Sequence, residues 1–188
     1  MNTGDVLTKI GATASPLARQ LLMAGLITRL LEDQGRPAPV IIGGLALSYY
    51  SREVYFTADI DLACADRIAL DEVLVGLGFV RSGRYWIHET LDIAVEAPAS
   101  TLAGEDAPRE TVDLDGGLRC VVIGVEDLIL DRLNACKHWR SAADCEAAEL
   151  LVVRYRGGLD WEYLERKAAL PENDLAVELR DLRERNWP

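Results

Sequence analysis

Apolar residues recur at helical spacing through residues 16–34, PLARQLLMAGLITRLLEDQ, directly behind Ser15-Pro16, a good cap and first-turn pair. That pattern predicts a helix, which RPAP ends. VIIGG, residues 40–44, then reads as a short buried strand closed by two glycines, and LALSYYS as a short helix after them. DIDLAC predicts a strand, ADRIALDEVLVGLG an amphipathic helix stopped by glycine, and RYWIH and LDIAVEA two further strands. Residues 97–108 carry Pro, Gly and acids and read as a loop. TVDLDGGLRCVVIG predicts a hairpin turning at Asp115-Gly116. From Val125 onward the period is helical, over about 125–138, 141–156, 160–169 and 173–185. No internal repeat or low-complexity tract interrupts the chain. The expected architecture is α+β. A small mixed sheet with helices on one face, preceded by the first helix, occupies residues 1–124, and a helical C-terminal half follows over 125–188.

Composition narrows the function. The chain has 188 residues, 49% hydrophobic and 27% charged, which is the balance of a globular protein with a substantial core. Its net charge of −11 opposes broad nucleic-acid binding through phosphate neutralisation and leaves room only for a local basic patch. No run of 18 apolar residues is present, and residues 1–20 lack a basic start followed by an apolar block, so no membrane contact and a cytoplasmic location are expected. Cys64, Cys120, Cys136 and Cys145 show no C-x-x-C spacing, and the chain has two histidines. Reduced, partly buried thiols are therefore expected rather than a zinc site.

The carboxylates carry the chemistry. Sixteen aspartates in 188 residues give about one D-x-D by chance, and the chain has two. Asp113-Leu-Asp115 runs into Gly116-Gly117, and turn chemistry accounts for it. Asp59-Ile-Asp61-Leu62 lies inside a strand, where the period of two puts both carboxylates on one face and Ile60 and Leu62 on the other. Like charges that close repel unless a cation lies between them or water screens them. A metal site and a solvated sheet face are the two readings. In TLDIAVEAP, Leu91, Ile93 and Val95 form one apolar face, which leaves Asp92 on the opposite face together with Glu96. If that strand neighbours Asp59–Asp61, Asp92 makes a third hard oxygen ligand, a set suited to Mg²⁺ or Mn²⁺. Gly43-Gly44, fifteen residues before Asp59, lets backbone N–H groups approach an anion at the start of a helix.

VIIGGLALSYYSREVYFTADIDLAC followed by LDIAVE resembles the nucleotidyltransferase fold of the DNA polymerase beta superfamily. Its signature is an apolar strand, G-G or G-S, a short helix, D-x-D and a third acid on a later strand. TADIDL and the later GVEDLILDRLNACKHWRSAADCEAAELL look like one branch of it, the AbiEii-type nucleotidyltransferase toxins. The resemblance spans roughly residues 38–156. It implies that Gly43 and Gly44 hold the phosphates of an NTP and that Asp59 and Asp61 bind metal. It also implies that Asp92 is the third acid, completing a two-ion site that transfers a nucleoside monophosphate to an acceptor hydroxyl. Two positions depart from the pattern. Gly44 replaces a common serine, for which Ser48 is a distant substitute, and Tyr55 stands where relatives often carry arginine.

In the helical half, Lys137 has two readings: a solvated helix end, or a cation reaching the triphosphate with Arg140 or Asp144 ordering the wall beside it. Asp127 and Asp131 read as first-turn residues of their helix. Trp86, Trp139, Trp161 and Trp187 are scattered and read as packing or surface anchors. The acceptor stays open among an RNA end, a protein hydroxyl and a small molecule. A toxin with a cognate antitoxin or regulator as partner, an aminoglycoside-type resistance enzyme, and a non-catalytic binding partner that keeps the fold are the competing roles.

Overall fold

A computed structural model describes residues 2–102, 104 and 106–186; Trp187 lies outside the described residues. The chain divides into two compact units, Met1–Ile123 and Gly124–Pro188.

The first unit opens with α1 (Thr3–Ala12) and α2 (Pro16–Asp33). The sequence reading did not anticipate α1, a short helix whose signal is local. Asn2 and Asp5 form a reciprocal capping box, with Asp5 N donating to Asn2 Oδ1 at 2.9 Å. Ser15 Oγ caps α2 by accepting from Ala18 N at 3.1 Å. Then follow β1 (Val40–Ile41), α3 (Gly43–Ser51), β2 (Asp59–Ala63), α4 (Arg67–Gly76), β3 (Val80–Ser82), β4 (Tyr85–His88), β5 (Ile93–Ala99), β6 (Arg109–Leu114) and β7 (Leu118–Ile123). β3 was not expected, because all three of its residues are exposed and show no alternation. β5 runs to Ala99, past the point where a loop was expected to begin.

The seven strands form one mixed sheet in the order β3-β4-β5-β2-β1-β7-β6. β2 runs parallel to β5 and antiparallel to β1, and β1 runs parallel to β7. One face is dry: Ile60, Leu62, Trp86, Ile93, Val95 and Ala97 are all buried. Helix α2, with Met23, Leu26, Ile27 and Leu31 fully buried, packs on β7, β6 and β2 and carries α1 and α4 against it. On the other side of β2 and β5, Asp59, Asp61, Ala94 and Glu96 are only half-buried. A strand buried on one face and wet on the other is what the alternation of DIDL and IAVE requires.

The second unit is helical: α5 (Val125–Trp139), α6 (Ala142–Tyr155), α7 (Trp161–Ala168) and α8 (Ala176–Asn186). Leu128, Leu133, Leu151, Leu164, Leu179 and Leu182 form its core. Asp127 is buried and accepts from the Tyr163 hydroxyl at 2.7 Å, so it does more than solvate a first turn. The expectation of four reduced thiols is corrected here. Cys136 on α5 and Cys145 on α6 form a disulfide, while Cys64 and Cys120 are buried free thiols. A helix reversal brings the first two together, a relation that no C-x-x-C count can detect. No helix among the described residues is long and apolar enough to cross a membrane.

Candidate active site

Gly43 follows the core strand at φ +58°, the left-handed region that glycine enters without penalty. A Cβ placed there would stand 2.3 Å from Asp61 Oδ2 and 3.1 Å from Asp61 Cβ. At Gly44 it would meet Thr57 Oγ1 at 2.7 Å. Gly43 therefore makes room for Asp61 and Gly44 for Thr57, so the backbone of the turn lies directly against the D-x-D strand and the residue that leads into it. Gly44 N–H, at the start of α3, donates to Asp61 Oδ2 at 3.1 Å. The carboxylate of β2 thus serves the first turn of a helix that has no side-chain cap of its own. Ile42 N donates to Asp61 O at 2.9 Å, fixing the turn to the strand.

Thr57 Oγ1 donates to Asp59 Oδ1 at 2.6 Å. Buried Gln20 on α2 holds the Thr57 carbonyl through Nε2 at 3.1 Å. Sequence reading did not single out Gln20, whose apolar neighbours conceal it within a helix.

Register then decides the third acid. Asp59 stands opposite Ala94 and Asp61 opposite Glu96 in the parallel pairing of β2 with β5. Asp59, Asp61 and Glu96 each bring a carboxylate oxygen within 4.8 Å of the others. Asp92 is not in this group. It ends a 3-10 turn at Glu89–Leu91 in the left-handed conformation, φ 50°, one residue before β5 begins. The face reasoning that paired Asp92 with Glu96 holds only for a strand that already includes Asp92, and this one starts at Ile93.

The set fits a hard divalent cation with a small adjustment. Bonds of about 2.1 Å separate the ligands of an octahedral Mg²⁺ by up to about 4.2 Å, close to the 4.8 Å within which these oxygens lie. All three acids are half-buried, hard oxygen donors beside backbone N–H groups, a suitable surrounding for a hydrated ion and a phosphate.

A cation of the chain already stands at this group. Arg84 Nε lies 3.4 Å from Glu96 Oε1, and its guanidinium packs 4.8 Å over the Tyr85 ring. The hydrogen bond to the Tyr85 hydroxyl, together with the charges of Glu96 and Asp59, raises the Arg84 pKa.

The other expected residues lie in the helical unit. Lys137 Nζ donates to the Asp174 carboxylate at 3.0 Å and to Glu178 at 3.3 Å, so its charge is engaged with the start of α8. The hydrogen bond it donates to Asp174 raises its pKa, with Glu178 adding to it. Asp144 accepts from Arg132 Nη1 at 2.7 Å. Burial works against the Arg132 charge, but Asp131 and Asp144 outweigh it and raise the pKa. Arg140 caps α5 in the left-handed conformation. Ser48 is buried inside α3.

No protein-family model and no curated protein matches the chain. Among solved structures, the chain is similar to the antibiotic-resistance factor ANT(2'')-Ia, whose solution structure reveals substrate-regulated conformation dynamics. The identity is 19% and the TM-score 0.50, over 96% of this chain and 98% of that one. At this identity the likeness speaks for the fold alone. The chain has a nucleotidyltransferase fold.

Proposed function

We propose that the protein is a metal-dependent nucleotidyltransferase that moves a nucleoside monophosphate from an NTP to an acceptor hydroxyl. The observation that carries this reading is the contact of Gly44 N–H with Asp61 in a row that continues to Glu96, which sets anion donors beside cation ligands. Asp59, Asp61 and Glu96 would hold Mg²⁺ or Mn²⁺. Bound there, the metal supplies charge neutralisation for an in-line displacement at the α-phosphorus. Gly43 and Gly44 receive the phosphates at the start of α3. The acceptor oxygen forms its bond to the α-phosphorus as the bond to the bridging oxygen breaks. Pyrophosphate leaves past the glycine turn, and the hydroxyl proton passes to a Glu96 carboxylate oxygen. Glu96 takes the role that the resemblance implied for Asp92.

The finer reading is a toxin-like enzyme of the AbiEii type, resting on TADIDL and GVEDLILDRLNACKHWRSAADCEAAELL, with an antitoxin or regulator as partner. A second reading, a small cationic acceptor of the aminoglycoside kind, is favoured by the net charge of −11 and by the fold shared with ANT(2'')-Ia. Incubation with each labelled NTP, Mg²⁺ and either a cell lysate or an aminoglycoside panel tests both. Label is expected in one fraction and absent with Asp59→Asn or Asp61→Asn. Labelling at wild-type rate by both variants refutes the enzyme.

A further inference from the structure

Arg84 stands in the two-residue turn between β3 and β4, where Ser82 pairs with Tyr85 and Gly83 takes φ +61°. The turn is anchored from below. Arg81 Nε donates to the Gly83 carbonyl at 3.1 Å, and the Arg81 guanidinium lies 4.1 Å over Trp86, whose indole donates to Asp71 at 2.7 Å. Tyr85 faces Glu96 across β4 and β5, and Glu96 faces Asp61 across β5 and β2. One row therefore runs Tyr85, Glu96, Asp61 and then the glycine turn, with Arg84 over the end of the row opposite Gly44.

The partners of this ion pair differ in freedom. Glu96 projects from mid-strand with a side chain 12% exposed, whereas Arg84 is 70% exposed on a turn. The strand orients Glu96, so Arg84 contributes charge more than geometry, and it is the partner free to move. A divalent cation entering the carboxylates meets a positive charge already on one ligand. An anion arriving beside the same carboxylates offers that charge another partner.

We propose that Arg84 is a built-in counter-ion shared between Glu96 and the substrate: it weakens divalent-cation binding while the site is empty of nucleotide, and it moves to the polyphosphate once metal and nucleotide are bound. It acts on the metal through the charge it places on Glu96 and on the nucleotide by direct contact, and the inference rests on the metal-site reading above. The two halves predict effects of opposite sign from one substitution. A purely structural role of the turn would lower both affinities together.

The test uses the full chain, with Mn²⁺ binding followed by electron paramagnetic resonance and inorganic tripolyphosphate titrated calorimetrically at saturating Mn²⁺. Arg84→Gln is expected to bind Mn²⁺ about two- to fivefold more tightly, the range of an exposed ion pair, and tripolyphosphate more weakly by a similar factor. Arg84→Lys, which keeps the charge, is expected to stay near wild type in both. Equal or weaker Mn²⁺ binding by Arg84→Gln overturns the proposal, as does unchanged tripolyphosphate affinity. Absence of Mn²⁺ binding in wild type overturns the metal site and the proposal together, whereas binding that ignores Arg84 overturns the proposal alone.

Discussion

Gly43→Ala perturbs the fold and the site through one added carbon. Holding an alanine at φ +58° costs about 1 kcal/mol relative to glycine. The new Cβ would stand 2.3 Å from Asp61 Oδ2, so the carboxylate must rotate away. Rotation releases the Gly44 N–H, and a hydrogen bond to a charged group contributes about 1.5–3 kcal/mol. Rotation leaves Asp61 Cβ at 3.1 Å, so the turn must also shift slightly off β2. The expected loss is about 2.5–4 kcal/mol, read from urea unfolding. Gly35→Ala supplies the control. Gly35 sits at φ +70° with nothing within 4 Å of an added Cβ, so it reports backbone strain alone, about 1 kcal/mol. Addition of Mn²⁺ should raise the melting temperature of Gly35→Ala as in wild type, and that of Gly43→Ala much less. Equal destabilisation by the two substitutions, with equal Mn²⁺ shifts, would refute the claim that Gly43 is glycine because of Asp61.

Glu96→Gln should weaken Mn²⁺ binding by about tenfold or more while Asp92→Asn leaves it unchanged; spin-resonance titration separates them, and the reverse order would restore Asp92 as the third ligand. Lys137→Met should lower the melting temperature by a gap that is full below the unfolded lysine pKa of about 10.4 and closes as pH rises through the raised folded value, since deprotonation ends the pairing with Asp174 and Glu178. Burial pushes the Cys120 thiol up to about 12 and, as the leading cause, raises Cys64 as well. Thiol reagent at pH 8 should therefore find none of the four cysteines in the native protein, two on unfolding, and four after unfolding with reductant. The Cys136–Cys145 loop, closed across a sequence separation of 9, should add about 2.5 kcal/mol to unfolding of the oxidised protein over the reduced one.

Elements whose signals are local were legible in the sequence. Ser15-Pro16 marked α2, glycine ended α4, and Asp115-Gly116 marked the turn between β6 and β7. The alternation in DIDL put Asp59 and Asp61 on one face, and the structure keeps them there. Partners distant in the chain were not legible. Arg84 and Glu96 lie twelve positions apart and meet because β4 folds back on β5 in one particular register. Cys136 and Cys145 meet across a helix reversal, and Lys137 finds Asp174 across most of a helical unit. Asp92 shows the same limit at a single residue. Period two was correctly counted through LDIAVE, but the left-handed conformation that excludes Asp92 from the strand is set by the turn before it.

The presence of two glycines at the end of a core strand has one physical cause, and it ties stability to function. Asp61 contributes one oxygen to the acid group and uses Oδ2 to receive the first turn of α3. A carboxylate beside two others is disfavoured by repulsion, and the helix N-terminus supplies part of the compensation from within the fold. That compensation needs close contact, which only a residue without Cβ permits at 43, while at 44 a Cβ would press on the Thr57 hydroxyl that serves Asp59. Thr57 does for Asp59 with a hydroxyl what Gly44 does for Asp61 with an N–H, and Arg84 does it for Glu96 with a full charge. The first two donors are fixed by backbone and strand. The third sits on an exposed turn, so it is the adjustable member of the three.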